Sequence, residues 1–311
     1  AMAGLAGSAV ALEPETGEGL GMVSSPAYDP NLFSAGIDLG TWASLLRDPQ
    51  TPLMNRVIQG QYPAGSTFKV VTALAALQEG AINPSTTFHC PGYLNVYGTV
   101  RRCHKAEGHG TLDLAHAIAL SCNVYFYQVG VRLEIERISR YAKLLGLGGT
   151  TGIDLPSEVS GLIPSPEWKL RVLKAPWFPG ETVSVAIGQG PVLVTPLQMA
   201  RATAAIATSG RLPRPHVLRR ALDPAGGVVK DFETESPVQL PLSAGAFQQV
   251  RAGMAAVVQE PHGTGGAARL PKTLVAGKTG TAQVVHLETT ENLDDDEIPE
   301  EWRDHAWFIS Y

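Results

Sequence analysis

The segments with the clearest strand character lie at opposite ends of the chain. Near the N-terminal end, Ser8-Ala9-Val10-Ala11-Leu12 and Leu20–Val23 flank Pro14-Glu15-Thr16-Gly17, whose residues have turn chemistry, so the segment reads as a hairpin. Near the other end, Thr273–Val285 and His305–Tyr311 read as two further strands. The apolar runs between them carry helix signals, so any sheet that uses both ends is assembled from distant segments. The expected class is therefore α/β, an antiparallel sheet flanked by helices. With 33 glycines and 23 prolines, the chain is too rich in turn formers for a helical bundle. No linker, repeat or low-complexity tract divides it, and 1–311 reads as one domain.

The helix signals are specific. Tyr62-Pro63-Ala64-Gly65-Ser66 precedes an apolar run, Val70–Leu77, closed by Gly80, which predicts a buried helix with Ser66 at its N-terminus. Thr111 reads as the N-cap of a helix through Leu112, Leu114, Ile118 and Leu120. Ser121-Cys122-Asn123 interrupts that run before Val124–Tyr127, and a further helix spans Ile135–Leu145, stopped by Gly146. Thr195-Pro196-Leu197-Gln198 is a capping box with proline at N1, opening a helix that ends at Gly210. Phe247–Val258 is amphipathic, and the proline-rich stretch 25–52 reads as loop.

Charge excludes one class of function. The chain has 24 basic and 29 acidic residues, and nine of the acidic ones fall between Leu287 and Asp304, a run that reads as a solvated loop. The remainder is nearly neutral, so there is no electrostatic footprint for nucleic acid. No apolar run approaches the ~18 residues of a membrane span. Ala1–Gly7 is short and uncharged, unlike a signal peptide.

Three short motifs carry chemistry. Ser66 and Lys69, at i and i+3 of a helix start, fall on one face. A serine hydroxyl becomes a nucleophile only when a neighbour takes its proton. A lysine can do so if burial beside Phe68 and Val70 disfavours its charged form. Ser121 and Asn123 offer a hydroxyl and an amide at a helix junction. Lys278-Thr279-Gly280-Thr281 lies in an apolar strand, where a buried ammonium demands a partner and Gly280 lets a ligand approach the backbone. Taken singly, each has a plainer reading: a cap serine with a surface lysine, a turn, and an edge-strand lysine reaching solvent.

Ser-x-x-Lys, Ser-x-Asn and Lys-Thr-Gly in this order resemble the signature of serine β-lactamases and penicillin-binding proteins. The chain is similar to the class B transpeptidases of the rod-elongation complex, the penicillin-binding protein 2 type. Asn55-Arg56, Gln59-Gly60, Pro63 and Gly65–Lys69 look like the family's nucleophile region. Gly152–Pro156, Trp177–Gly180, Ile187–Gly190 and Asp304–Phe308 extend the resemblance from about Ser8 to Tyr311. It implies that Ser66 attacks the D-Ala-D-Ala carbonyl of a peptidoglycan stem peptide, with Lys69 as general base. Ser121, assisted by Lys278, would relay a proton to the departing D-alanine, and Asn123 would hold the acyl chain and Lys69. Thr279 and Thr281, with Gly280 between them, would bind the terminal carboxylate. The backbone N–H groups of Ser66 and Thr281 would form the oxyanion hole. β-Lactam antibiotics would stall at the acyl-enzyme. The resemblance also implies a SEDS-type glycan polymerase as partner and a place on the extracytoplasmic face of the bacterial inner membrane. The family's anchor and non-catalytic domain would precede Ser8. A further strand and terminal helix would follow Tyr311, and without that strand a sheet edge is left unpaired.

Cys90, Cys103, His109 and Cys122 supply three thiolates and an imidazole, a complete tetrahedral set for structural zinc. The spacing also admits a Cys90–Cys103 disulfide with a buried Cys122, or three inert thiols, and His89, His104 and His116 are rival ligands. The resemblance favours zinc, because some rod-complex transpeptidases carry a metal in this insertion. No organic cofactor is expected. Two rivals to the transpeptidase use the same motifs: a β-lactamase or D,D-carboxypeptidase, and a non-enzymatic β-lactam sensor or scaffold.

Overall fold

Helix Lys69–Gln78 is the centre of the molecule, with eight of its ten residues buried. Alanine and valine allow close approach on every side, and it packs against helices Asn123–Leu144 and Ala244–Gln259. Each Val or Leu removed from water here contributes about 1.5–3 kcal/mol. The computed structural model describes residues 2, 5–34, 36–232, 235–282 and 303–311. The last three residues of the strand expected over Thr273–Val285, and the acidic run up to 301, lie outside the described residues.

The N-terminal hairpin forms as expected, Gly7–Leu12 antiparallel to Gly19–Ser25 with a register shift at Ala11/Leu12. Val10, Leu12 and Met22 pack on a small second core of Val57, Ile58, Ile153 and Leu197. The C-terminal strands Gly277–Ala282 and His305–Ser310 are also antiparallel, with Gly280 opposite Trp307. Thr273–Val275 precede the strand, and Ala276 exchanges both backbone hydrogen bonds with Tyr311. Among the described residues these two pairs are separate two-stranded ladders. Helix Pro196–Ala207 joins them by packing on Gly7–Leu12 and on His305–Ser310.

Thr195 and Gln198 form the expected capping box: Gln198 N–H donates to Thr195 Oγ1 at 3.2 Å, and Thr195 N–H to Gln198 Oε1 at 3.1 Å. Other boundaries differ from expectation. Thr111 and Leu112 belong to strand Gly110–Leu112, paired with Phe88–Cys90. The helix begins at Leu114, because the Asp113 carboxylate accepts from His116 N–H at 3.0 Å and takes the capping role. As expected, the runs around Tyr125 and Ile138 are two helical stretches within Asn123–Leu144, separated by a kink at Glu134, whose φ is +63°. Within the stretch read as loop, Asp38 caps helix Leu39–Arg47. Helices Pro166–Leu173 and Pro179–Val185 were also not anticipated.

Candidate active site

Gly65–Phe68 is a single 3-10 turn, and the α-helix starts at Lys69. In a 3-10 turn side chains at i and i+3 eclipse, so this departure from a regular helix start aligns Ser66 with Lys69 more closely. Gly65 has φ +53°, and a Cβ there would overlap the Thr281 carbonyl. Glycine therefore lets the turn carrying Ser66 lie directly against the strand carrying Thr281. Gly280 serves the same contact, since a Cβ on it would stand 2.9 Å from Thr67 Cγ2.

Lys69 is 0% exposed. Its Nζ donates to the Ser121 carbonyl at 2.6 Å, to Ser121 Oγ at 3.1 Å and to Asn123 Oδ1 at 2.7 Å. Ser121 can offer both its carbonyl and its hydroxyl because it adopts a left-handed conformation, φ +54°, between the two helices. Cys122 then caps the second helix, its Sγ accepting from Tyr125 N–H at 3.4 Å, and Asn123 opens it. Burial brings the Lys69 ammonium down to about 7, against a smaller upward pull from thiolate charge at Cys122 and Cys103.

Lys278 is also 0% exposed, contrary to the edge-strand reading. Its Nζ donates to Ser121 Oγ at 2.8 Å and to the Thr279 carbonyl at 2.9 Å. Burial, and then the Lys69 charge, push it well below the usual lysine range. Thr279 and Thr281 stand on the more accessible side of the strand, and Gln189 Nε2 donates to the Thr281 carbonyl at 3.4 Å. The structure thus gathers Lys69, Ser121, Asn123 and Lys278 into one hydrogen-bonded cluster, with Ser66 one turn before it and Thr279–Thr281 on the adjoining strand. Such an arrangement can deprotonate a serine, pass a proton through Ser121 and receive a carboxylate beside it.

The matching family model is the penicillin-binding protein transpeptidase domain, over residues 7–311. The chain belongs to this family. It is 38% identical over its whole length to the peptidoglycan D,D-transpeptidase MrdA of Acinetobacter baumannii, and 40% identical to MrdA of Haemophilus influenzae. It spans about half the length of these relatives, 46% and 48%. Among solved structures it resembles Pseudomonas aeruginosa PBP2, with a TM-score of 0.83 and 36% identity over 100% of this chain and 66% of that one. It also resembles PBP2 in a complex with MreC from Helicobacter pylori, with a TM-score of 0.86 and 34% identity over 98% of this chain and 53% of that one. A third neighbour comes from a peptidoglycan synthase complex that coordinates polymerization and crosslinking, with a TM-score of 0.81 and 38% identity over 97% of this chain and 48% of that one.

Beside this site of the penicillin-binding fold lies a second cluster. One donor atom each from Cys90, Cys103, His109 and Cys122 fall within 4.8 Å of one another. His109 Nδ1 is 3.6 Å from both Cys90 Sγ and Cys103 Sγ. With zinc–sulfur and zinc–nitrogen bonds of about 2.3 and 2.0 Å, a tetrahedron has edges of about 3.5–3.8 Å, so the donors fit. All three thiols are free, which removes the Cys90–Cys103 disulfide. Of the rival histidines, His89 bonds Thr111 and His116 pairs with Asp113. The His104 ring lies tilted against that of His109, centroids 5.0 Å apart, and its Nδ1 is 3.9 Å from Cys103 Sγ.

Two contacts had no counterpart in the motif reading. Tyr127 donates to the Arg102 carbonyl at 3.1 Å, tying the hairpin before Cys103 to the helix that opens with Asn123. Thr264 stands against Thr279. The only sequence signal for it is its place in the glycine-flanked turn Gly263-Thr264-Gly265.

Proposed function

We propose that the chain is the catalytic part of a peptidoglycan D,D-transpeptidase that crosslinks stem peptides through a serine acyl-enzyme. The observation that carries this reading is the convergence of three distant motifs on Ser121 Oγ, with Lys69 buried and made easy to deprotonate. Neutral Lys69 takes the proton from Ser66, which attacks the carbonyl of the penultimate D-alanine and forms an ester. The tetrahedral oxyanion is held by the N–H groups of Ser66 and Thr281; one such donor is worth about 3–4 kcal/mol in a preorganised site. As the C–N bond breaks, Ser121 passes a proton to the departing D-alanine, drawing on Lys69 and Lys278. Asn123 orients the acyl chain, and the Thr279 and Thr281 hydroxyls bind the carboxylate. An amine of a second stem peptide then displaces Ser66. β-Lactams follow the first half and stall.

Cys90, Cys103, His109 and Cys122 would hold a structural zinc ion, whose chemistry is to fix four chain segments together. The reading is supported by the donor spacing, with His109 Nδ1 3.6 Å from both Cys90 Sγ and Cys103 Sγ. The similarity to PBP2 and MrdA supports a role in cell elongation beside a SEDS-type glycan polymerase and an MreC-like partner. It likewise supports work on the extracytoplasmic face of the inner membrane; among the described residues no helix is long and apolar enough to cross a membrane.

Mass spectrometry after exposure to penicillin tests the reading. A single adduct on Ser66, retained for long periods and absent from Ser66→Ala, is expected. Rapid hydrolysis of the adduct would point to a β-lactamase instead, and labelling of Ser66→Ala would remove Ser66 from its role.

A further inference from the structure

Thr264 belongs to none of the three motifs, yet it joins two of them. After helix Ala244–Gln259 the chain reverses, with Gly263 N–H donating to the Glu260 carbonyl at 3.1 Å and Gly265 N–H to the Val257 carbonyl at 2.9 Å. Thr264, at the tip, is tied elsewhere. Its N–H donates at 3.2 Å to the carbonyl of Ala119, the last residue of helix Leu114–Ala119 and two positions before Ser121. Its Oγ1 lies 3.4 Å from the same carbonyl oxygen and 2.7 Å from Thr279 Oγ1. One residue therefore bridges the wall carrying Ser121 and the strand carrying Lys278 and Thr279.

The proton count gives this bridge a direction. A hydroxyl has one proton to donate and two lone pairs, whereas a carboxylate only accepts. If Thr279 is to bind a carboxylate, its proton must point at the ligand, and its contact with Thr264 must then run the other way. Thr264 can supply that proton: its hydroxyl has two acceptors in reach, and Thr279 Oγ1 at 2.7 Å is much the closer, while the Ala119 carbonyl at 3.4 Å already receives the Thr264 N–H. The two hydroxyls then form a chain, Thr264 O–H to Thr279 Oγ1 and Thr279 O–H to the carboxylate, in which each bond polarises the next. The short 2.7 Å separation also fixes the Thr279 rotamer before any ligand arrives.

We propose that Thr264 is a positioning residue for the terminal carboxylate of the acyl donor, acting through Thr279; this rests on the reading that Thr279 binds that carboxylate. The ligand class is a D-amino-acid carboxylate or the ring carboxylate of a β-lactam. The test compares acylation of the chain by benzylpenicillin and by its methyl ester, which keeps the reactive ring and removes the anion. The readout is the ratio of the two second-order rates. In Thr264→Val, which keeps the shape and loses the hydroxyl, the ratio falls roughly three- to tenfold, the scale of one neutral hydrogen bond. Thr264→Ser retains the wild-type ratio. If the valine variant does not fold, Thr264→Ala gives the same comparison. A wild-type ratio in the hydroxyl-free variant overturns the proposal, whether or not both rates fall together. Thr279→Val separates the two readings. If it loses the ratio while Thr264→Val keeps it, only the role of Thr264 is wrong. If it keeps the ratio, or if the wild type does not distinguish acid from ester, the carboxylate reading of Thr279 fails as well.

Discussion

Lys69 and Lys278 donate to one oxygen, with Ser121 Oγ 3.1 Å from the first ammonium nitrogen and 2.8 Å from the second. Both side chains are fully buried, and among the described residues their hydrogen-bond partners are the oxygens of Ser121, Asn123 and Thr279, none of them a carboxylate. Two such charges repel and each is poorly solvated, so the cluster is relieved when one lysine is neutral. A neutral lysine is what the attack of a serine requires. Ser121→Ala removes the shared acceptor and the proton path. Acylation is expected to fall by about 10²–10⁴, the range for general acid–base groups. Stopped-flow acylation kinetics measure this, and a rate within a few-fold of wild type would remove Ser121 from the proton path.

Lys69→Arg tests the base. Guanidinium is not deprotonated in proteins, so this variant keeps a cation and loses the ability to take a proton. Folding is expected to survive, checked by circular dichroism, with acylation reduced by at least about 10². Wild-type kinetics in the folded variant would rule out Lys69.

The pH profile follows from the same burial. Lys69 loses its proton near 7 in the folded chain and near 10.5 when unfolded. Acylation should rise as pH passes through about 7, as the neutral form accumulates. Between those two values the unfolded state binds more protons, so the contribution of Lys69 to stability also rises with pH there. A profile flat from pH 6 to 8.5, at constant fold, would contradict this assignment.

Gly65→Ala probes the close approach of turn and strand. The position requires φ +53°, and the new methyl would meet the Thr281 carbonyl. A loss of about 1–3 kcal/mol in stability is expected from the strained backbone, read by denaturant unfolding. Acylation should fall more than stability does, because Ser66 and Thr281 are the residues pushed apart.

Metal removal has two graded arms. Freshly purified protein is expected to carry about one zinc per chain by elemental analysis. Cys90→Ser should lower the melting temperature and slow acylation, since metal binding contributes to folding. Cys122→Ser should do so more severely, because this ligand lies between Ser121 and Asn123, inside the second motif. Metal-free protein with full acylation activity would end the zinc reading.

The three motifs, the capping box at Thr195 and the N-terminal hairpin were legible in the sequence because each depends on neighbours within a few residues. Local dihedral preference and short-range hydrogen bonds set them wherever the segment is placed. The cysteine pattern was legible as composition, but not the convergence of Cys90, Cys103, His109 and Cys122, which depends on how the segments fold together.

What the tertiary structure alone decided concerns contacts between residues far apart in the chain. Taken alone, Lys278 reads from sequence as an edge-strand lysine reaching solvent; it is buried because helix Ala244–Gln259 packs on its strand. The depressed proton affinity of Lys69 likewise needs the walls supplied by Ser121, Asn123 and Phe126, more than fifty positions away. Thr264 gains a role only because a turn after one helix meets the carbonyl end of another. Sequence by itself determined which residue types stand in the three motifs and in what order. Desolvation and mutual distance, which set their proton affinities and partners, are properties of the assembled core.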